Sequence, residues 1–167
     1  MSLSTVETEV ATTMRGRLTA WKDIFQFVFA GNARFTLVSV ETGKRFTYRV
    51  AKKKPPETED DRRKLERYGQ AWYVSLLRGP DNFSDYAYMG VLDNGGFKAT
   101  TNSRVSKDAD SHRAFSWFLR RMSEGGAPCA KLEFWTEGHC GRCGRGLTVP
   151  TSVNAGFGPE CIGRLGE

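Results

Sequence analysis

The chain has 167 residues, of which 39% are hydrophobic, so it can form one domain of ordinary size with a small appendage. Lysine and arginine number 25 against 19 aspartate and glutamate, a net charge of +6 that favours a polyanionic partner without establishing one. No apolar run approaches the roughly 18 residues of a membrane span, and the start lacks a signal-peptide pattern. We therefore expect a soluble protein of the reducing cytosol, with no membrane partner.

The first elements of the chain are predicted to be an arm, a helix and a β-hairpin. Residues 1–17 have no apolar period and predict a flexible N-terminal arm. A helix is predicted next, because apolar residues recur at i, i+3, i+4 and i+7. These residues are Trp21, Ile24, Phe25 and Val28. From Ala33 the period changes to two, which predicts strands over 33–40 and 45–50.

The second strand of this hairpin separates apolar from basic side chains. Its apolar residues Phe46, Tyr48 and Val50 alternate with Arg45, Thr47 and Arg49, and alternate residues of a strand point to opposite faces. One face is therefore expected to be core and the other basic. Together with Lys44 at the turn, the arginines form a stripe that fits a phosphate backbone, although a merely solvated face explains it slightly better.

The middle of the chain predicts a surface segment followed by more strands and a second helix. Residues 51–70 form a charged loop with a short helix over 57–68, and strands follow over 71–77, 86–92 and 97–101. The second main helix starts at Asp110 or Ser111 and ends at glycines, and a strand over 131–136 follows it. The fold class is therefore α+β: an antiparallel sheet of about five to six strands packed with two helices over 18–136, followed by a separate module over 137–167.

Three cysteines in that module have the spacing of metal ligands. Cys140 and Cys143 are separated by two residues, and Cys161 follows after a hairpin-like excursion, at the start of a predicted helix. Glycines within and after the pair allow the tight turn that presents two thiolates to one ion. This order of knuckle, hairpin and ligand-bearing helix predicts a treble-clef-like zinc module.

The fourth zinc ligand is ambiguous from the sequence. His139 adjoins Cys140 and is the preferred candidate, while Cys129 lies upstream, at the start of the preceding strand; water or a partner residue are the alternatives. Three thiolates weaken the acidity of the ion toward water, and Glu137 and Glu160 stand in no catalytic zinc motif. We therefore expect structural Zn²⁺, no enzymatic activity and no small-molecule substrate.

The C-terminal sequence resembles a known group of proteins. The run from Phe134 to Val153, closed by residues 156–161, is similar to a family of uncharacterised phage and prophage proteins marked by CGRCGR.LT.P.S and G.GP.C. Members of that family often carry histidine four residues before the first cysteine, where this chain has Thr136. The resemblance implies a phage-encoded protein in the cytosol of a bacterial host, and it lends no established activity.

Charge and motif together predict binding of DNA or RNA with little sequence specificity. The candidate contacts are Lys44, Arg45, Arg49, Arg142, Arg145 and Arg164. The alternative is a module that docks on, or inhibits, a host or phage protein, suggested by a surplus of aromatic residues. Those residues are Phe27, Phe29, Tyr86 and Trp117.

Overall fold

A computed structural model describes residues 16–82, 84–94, 96–125, 130–148 and 150–165. It confirms the α+β class, and within this part of the chain the sheet is antiparallel with seven strands rather than five or six. The strands are β1 (Arg17–Leu18), β2 (Asn32–Ser39), β3 (Arg45–Lys52), β4 (Trp72–Leu77), β5 (Tyr86–Asp93), β6 (Gly96–Lys98) and β7 (Leu132–Trp135). The helices are α1 (Trp21–Val28), α2 (Glu59–Tyr68), α3 (Asp110–Glu124), α4 (Pro150–Ala155) and α5 (Pro159–Ile162). None of the helices seen in these ranges is long and apolar enough to cross a membrane.

The sheet order is β1-β7-β2-β3-β4-β5-β6. The expected meander is present from β2 to β6, where each strand pairs with the next along the chain. The last strand, β7, returns across the sheet and inserts between β1 and β2, so that Phe134 pairs with both Leu18 and Leu37. The extra strand is β1, which begins at a residue assigned to the flexible arm; the rest of that arm, residues 1–15, lies outside the described ranges.

The core lies between one face of the sheet and the helices α1 and α3. Phe35 of β2 stacks on Phe134 of β7 with ring centroids 4.8 Å apart, and Phe118 of α3 stacks on the same ring at 5.8 Å. All three rings are fully buried or nearly so. At the edge of this layer the Tyr48 hydroxyl donates a 2.7 Å hydrogen bond to the carbonyl of Ser111, which satisfies both groups in a dry environment.

The apolar stripe predicted for α1 is wrong at one residue. Phe25 is 56% exposed, whereas Phe27, which lies off the stripe, is fully buried. Phe27 faces Phe134 edge-on and also contacts Phe157 of the C-terminal module. The helix therefore packs against two partners, and its buried arc turns toward the module as well as the sheet. Phe27 is consequently core and offers no surface to a partner.

The other side of the sheet is called the second face, defined by Arg34, Thr36, Arg45, Thr47 and Arg49. Cross-strand pairing places Arg34 opposite Arg49 and Thr36 opposite Thr47, so these residues share one side of β2 and β3. Helix α2 lies in the connection between β3 and β4, and none of its residues is buried. The second face is therefore the polar and basic side of the sheet, as the alternation in β3 predicts.

Candidate metal centre

Three thiols converge in the C-terminal module. The sulfur atoms of Cys140, Cys143 and Cys161 all lie within 4.8 Å of one another. Cys140 and Cys161 are buried and Cys143 is exposed. Tetrahedral Zn²⁺ with S–Zn bonds of about 2.3 Å holds its sulfurs about 3.8 Å apart, so the cluster is of the right size for one ion.

A tight turn presents the first two thiols. The N–H of Gly144 donates to the Cys140 carbonyl at 2.9 Å, and the N–H of Cys140 donates to the Arg145 carbonyl at 2.8 Å. Gly144 has φ +80°, a left-handed conformation that L side chains rarely adopt. A single antiparallel bridge between His139 and Gly146 closes the base of the turn. Residues 139–146 are called the metal loop below.

The third thiol comes from a short helix, as expected. Cys161 is the buried residue of α5, which has Pro159 at its start and the extended Gly158 before it. The connection from the metal loop differs from the expectation, because it contains helix α4 where a hairpin was predicted. The order of ligands is retained although the intervening backbone is helical.

The environment of the thiols acts on their pKa values in opposite directions. Burial acts to raise the pKa of Cys140, but N–H groups of Cys143, Gly158 and Arg142 outweigh it and lower that pKa. Burial and the neighbouring thiols raise the pKa of Cys161 instead. The Arg142 guanidinium donates toward the Cys161 sulfur at 4.0 Å, where it stabilises a thiolate. An ion bound here would displace the protons of all three thiols.

The metal loop is attached to the rest of the fold at Gly141. Its carbonyl accepts from Asn32 N–H at 2.8 Å, and its own N–H donates to the Gly156 carbonyl at 2.9 Å. A Cβ at this glycine would lie 2.7 Å from the Phe27 ring and 3.2 Å from Phe157, so only glycine fits. The loop thus sits directly on the core beside the first residue of β2.

The candidates for a fourth ligand occupy different positions. The three thiols form the ligand group within the described residues, and the half-buried His139 does not belong to it. Thr136, four residues before Cys140, is fully buried, and its hydroxyl contacts the Val153 carbonyl at 3.5 Å. Cys129 lies outside the described residues. Glu160 is exposed on α5.

Residues 130–166 match the family model DUF6011, a family of unknown function. The matched DUF6011 segment contains β7, the metal loop and the three cysteines of the thiol cluster. It agrees with the resemblance to an uncharacterised family noted from the cysteine motif. No curated protein and no solved structure matches the chain.

Glu137, in the DUF6011 segment, lies between β7 and the metal loop. Both its backbone conformation and its side-chain contacts are unusual. Its φ of 43° is left-handed, which is unusual for a residue other than glycine. Its carboxylate accepts a short hydrogen bond from the Thr36 hydroxyl, which itself lies 2.6 Å from the hydroxyl of Thr47. Burial raises the pKa of Glu137, although the Thr36 hydrogen bond and Arg45 act to lower it. The Glu137 carboxylate therefore contacts residues of the second face, and the contacts described here do not include a thiol.

The predicted basic contacts divide into three groups. Lys44 forms a 3.0 Å ion pair with Asp110 at the start of α3, on the helix side of the sheet. Arg45 and Arg49 lie on the second face, four residues and about 13 Å apart along β3. The module carries the remaining arginines, of which Arg145 and Arg164 are exposed and Arg142 is half-buried beside Cys161.

One contact joins the arginines of the second face to the metal loop. Arg49 Nε donates to the Asn32 side-chain oxygen at 3.1 Å. Asn32 and the Arg34 guanidinium in turn pack against Gly144, where an added Cβ would lie 2.4 Å and 3.3 Å from their side chains. The second face and the metal loop are therefore continuous at this point.

Arg34 is a residue of this surface that the sequence analysis missed. It is only 5% exposed, and burial together with the adjacent Arg49 lowers its pKa. Tyr86 of β5 also interacts with it, and burial raises the pKa of that phenol. The alternation of side chains along β2 and β3 could have predicted this, because it places Arg34 on the same side of the hairpin as Arg49.

Proposed function

We propose that the protein binds nucleic acid through electrostatic contacts with little sequence specificity, and that Zn²⁺ holds its C-terminal module in shape. The observation that carries this proposal is the link from Arg49 through Asn32 to the metal loop, because it makes two basic groups into one surface. A surface with an excess of cations attracts the phosphate backbone, and binding releases counterions.

The ion pairs support this assignment. Within the described part of the chain, the ion-paired cations are Lys44, Arg63, Lys64, Lys98, Arg121 and Lys131. Arg45, Arg145 and Arg164 are not among them. Arg45 interacts electrostatically with Glu137, and the exposed Arg145 and Arg164 can contact phosphate oxygens. Bidentate contact of arginine with phosphate gives orientation as well as attraction.

The metal is assigned a structural role. Thiolates are soft ligands suited to Zn²⁺, and three of them leave the ion a weak Lewis acid toward bound water. We therefore propose no catalytic activity. The fourth ligand proposed is His139, which lies outside the thiol group and would have to turn toward it. Water, Cys129 or a partner residue are the alternatives, and a spectroscopic experiment separates them.

The setting of this binding is proposed from the motif. The similarity to phage and prophage proteins supports a phage-encoded protein acting in the bacterial cytosol. That compartment is reducing, so the three thiols would stay available to the metal instead of forming disulfides.

Fluorescence anisotropy tests the proposed function. The full-length protein loaded with zinc is titrated against labelled duplex and single-stranded DNA and RNA at 50 to 200 mM salt. We expect binding that weakens steeply with salt, with little difference between unrelated sequences. Lys22→Ala, a charge removal on an exposed residue of α1, is the control and should bind as the parent does. Absence of binding, or binding that is insensitive to salt, would contradict the proposal.

A second candidate function is docking on a protein through the helix side. Phe25 and Phe29 pack together at 4.7 Å and line a groove of about 610 Å³ with Phe97, Leu119 and Met122. An exposed aromatic beside an apolar groove is typical of a protein-binding surface. A protein partner retained after nuclease treatment and lost in Phe25→Ser would favour this function over nucleic-acid binding.

A further inference from the structure

A cleft lies between helix α2 and the second face of the sheet. Its volume is about 660 Å³, and its walls come from β3, from the segment that follows it, from α2, from β4 and from β5. The N–H of Lys53 donates to the Ala71 carbonyl at 2.9 Å and extends the β3–β4 pairing by one residue beside the cleft. We call it the α2 cleft.

The α2 cleft carries more positive than negative charge. Five basic side chains and three acidic ones line it. Lys64 is paired with Asp60 and Asp93 with Lys98, which leaves four cations facing two carboxylates, Glu57 and Asp61. The four cations are Arg49, Lys52, Lys53 and Lys54. This excess suits an anionic occupant.

Aromatic rings share the cleft with these cations. Tyr73 of β4 is 41% exposed, and its ring is held edge-on against Tyr88 at 6.1 Å. Tyr68 at the end of α2 is 53% exposed, and the Arg67 guanidinium lies 5.3 Å from its ring centre. Large exposed rings next to lysines offer a stacking surface together with charges for a phosphate chain.

We infer that the α2 cleft binds single-stranded nucleic acid, with an unpaired base stacked on Tyr73 and the adjoining phosphates held by Arg49 and the lysines of residues 52–54. Bases in a duplex have their faces covered by their neighbours, so only an unstacked base can meet a ring inside a cleft of this size. Arg49 also contacts Asn32 beside the metal loop, so the strand has a continuous path onto the surface proposed above. The inference rests on the proposed function and adds the form of nucleic acid and the residue that selects it.

The test compares single strands with a duplex in the full-length, zinc-loaded protein. The probes are fluorescein-labelled dT12, fluorescein-labelled rU12 and a 12-base-pair duplex at one fixed salt concentration. We expect Tyr73→Ala to weaken both single strands about 10-fold, the effect of losing one stacked base, and to leave duplex affinity within about two-fold. Tyr73→Phe keeps the ring and should restore single-strand binding. If Tyr73→Phe restores the affinity for dT12 and for rU12 equally, the protein recognises the base and the phosphates. If the two affinities differ, the 2′-hydroxyl also contributes to recognition.

One control and one further cleft variant separate the outcomes. Phe25→Ala removes an exposed ring of similar size on the opposite side of the sheet and should leave single-strand affinity unchanged. Tyr68→Ala, on a helix with no buried residue, is a second cleft variant that does not disturb a strand, and it should also weaken single strands. If the parent protein binds no nucleic acid, both the proposed function and this inference fail. If it binds and both tyrosine variants match it, or if a poly-glutamate 12-mer binds as tightly as dT12, only the inference fails.

Discussion

The backbone N–H of Asn32 donates to the carbonyl oxygen of Gly141 with an N···O distance of 2.8 Å, which joins the first residue of β2 to the metal loop. The Asn32 side chain meanwhile accepts from Arg49 on the second face. One residue therefore connects the thiol cluster, the sheet and the basic surface. Loss of the proposed metal should therefore affect this end of the sheet before the rest of it.

Removal of one thiolate tests the structural role of the metal. Elemental analysis of the parent protein should give about one zinc per chain, and Cys143→Ser should lose it, because metal binding and local folding are coupled where the ligands lie. We expect amide exchange to rise in residues 137–165 and at Asn32, while the β3–β4–β5 ladder stays protected. A metal-free protein with unchanged exchange across the metal loop would contradict this prediction.

X-ray absorption at the zinc edge addresses the fourth ligand. With His139 as the fourth ligand the spectrum should report three sulfurs and one nitrogen, and His139→Ala should replace the nitrogen by oxygen from water. A spectrum with four sulfurs in the parent protein would point to Cys129. Three sulfurs and one oxygen, unchanged by His139→Ala, would assign the position to water and refute the histidine.

Two glycines of the metal loop offer a matched pair for packing. A Cβ at Gly141 would lie 2.7 Å from the Phe27 ring, whereas a Cβ at Gly146 would meet nothing within 4 Å. Gly141→Ala should therefore lower the free energy of unfolding by about 1–3 kcal/mol through overpacking, and Gly146→Ala should change it little. Urea unfolding of both variants with excess zinc measures the difference. Equal stability of the two variants would contradict the prediction, because it would mean that the Phe27 ring can move aside without a loss of stability.

The elements with a regular period were predictable, and those that depend on distant contacts were not. Alternation in the hairpin correctly separated Tyr48 and Val50 from Arg45 and Arg49, because each strand pairs with its neighbour in the chain. The insertion of β7 between β1 and β2 leaves no periodic signal, since it depends on pairing residues that are about a hundred positions apart. The site followed the same rule: cysteine spacing indicated the thiol cluster, which the structure brings together.

The wrong prediction of which α1 residues are buried also comes from a distant contact. A single apolar stripe describes a helix that packs on one surface, and α1 packs on two. Phe27 is buried between Phe134 of the sheet and Phe157 of the module. Phe25 lies on a side of the helix that these two surfaces leave exposed. The α2 cleft could not be predicted from the sequence either, because its lining combines residues of α2, β3, β4 and β5 that no periodic pattern brings together.

Neighbouring residues of the hairpin should differ in their effect on binding. Lys44 is held by Asp110 on the helix side, whereas Arg45 lies on the second face outside any of the ion pairs described above. Arg45→Ala should lower affinity for DNA and reduce the slope of log K against log salt by about one, the loss of one phosphate contact. Lys44→Ala should have a smaller effect on both. Equal effects of the two variants would show that charge alone, without position, governs binding.

The buried carboxylate of Glu137 should make stability depend on pH. Because its pKa is raised in the folded protein, the folded state holds this proton more tightly than the unfolded state, and stability falls as pH rises from the ordinary glutamate value of about 4.3 through the raised value. Glu137→Gln keeps the oxygen that accepts from Thr36 and removes the charge, so it should be more stable than the parent at neutral pH. The difference should grow with pH across that window and then level off, as measured by urea unfolding of both proteins in the same buffers. Loss of zinc at low pH affects both proteins alike and cancels in the difference, and Glu66→Gln on the exposed side of α2 is the control. A difference that shrinks with rising pH would mean that the ionised carboxylate is the form that the fold prefers.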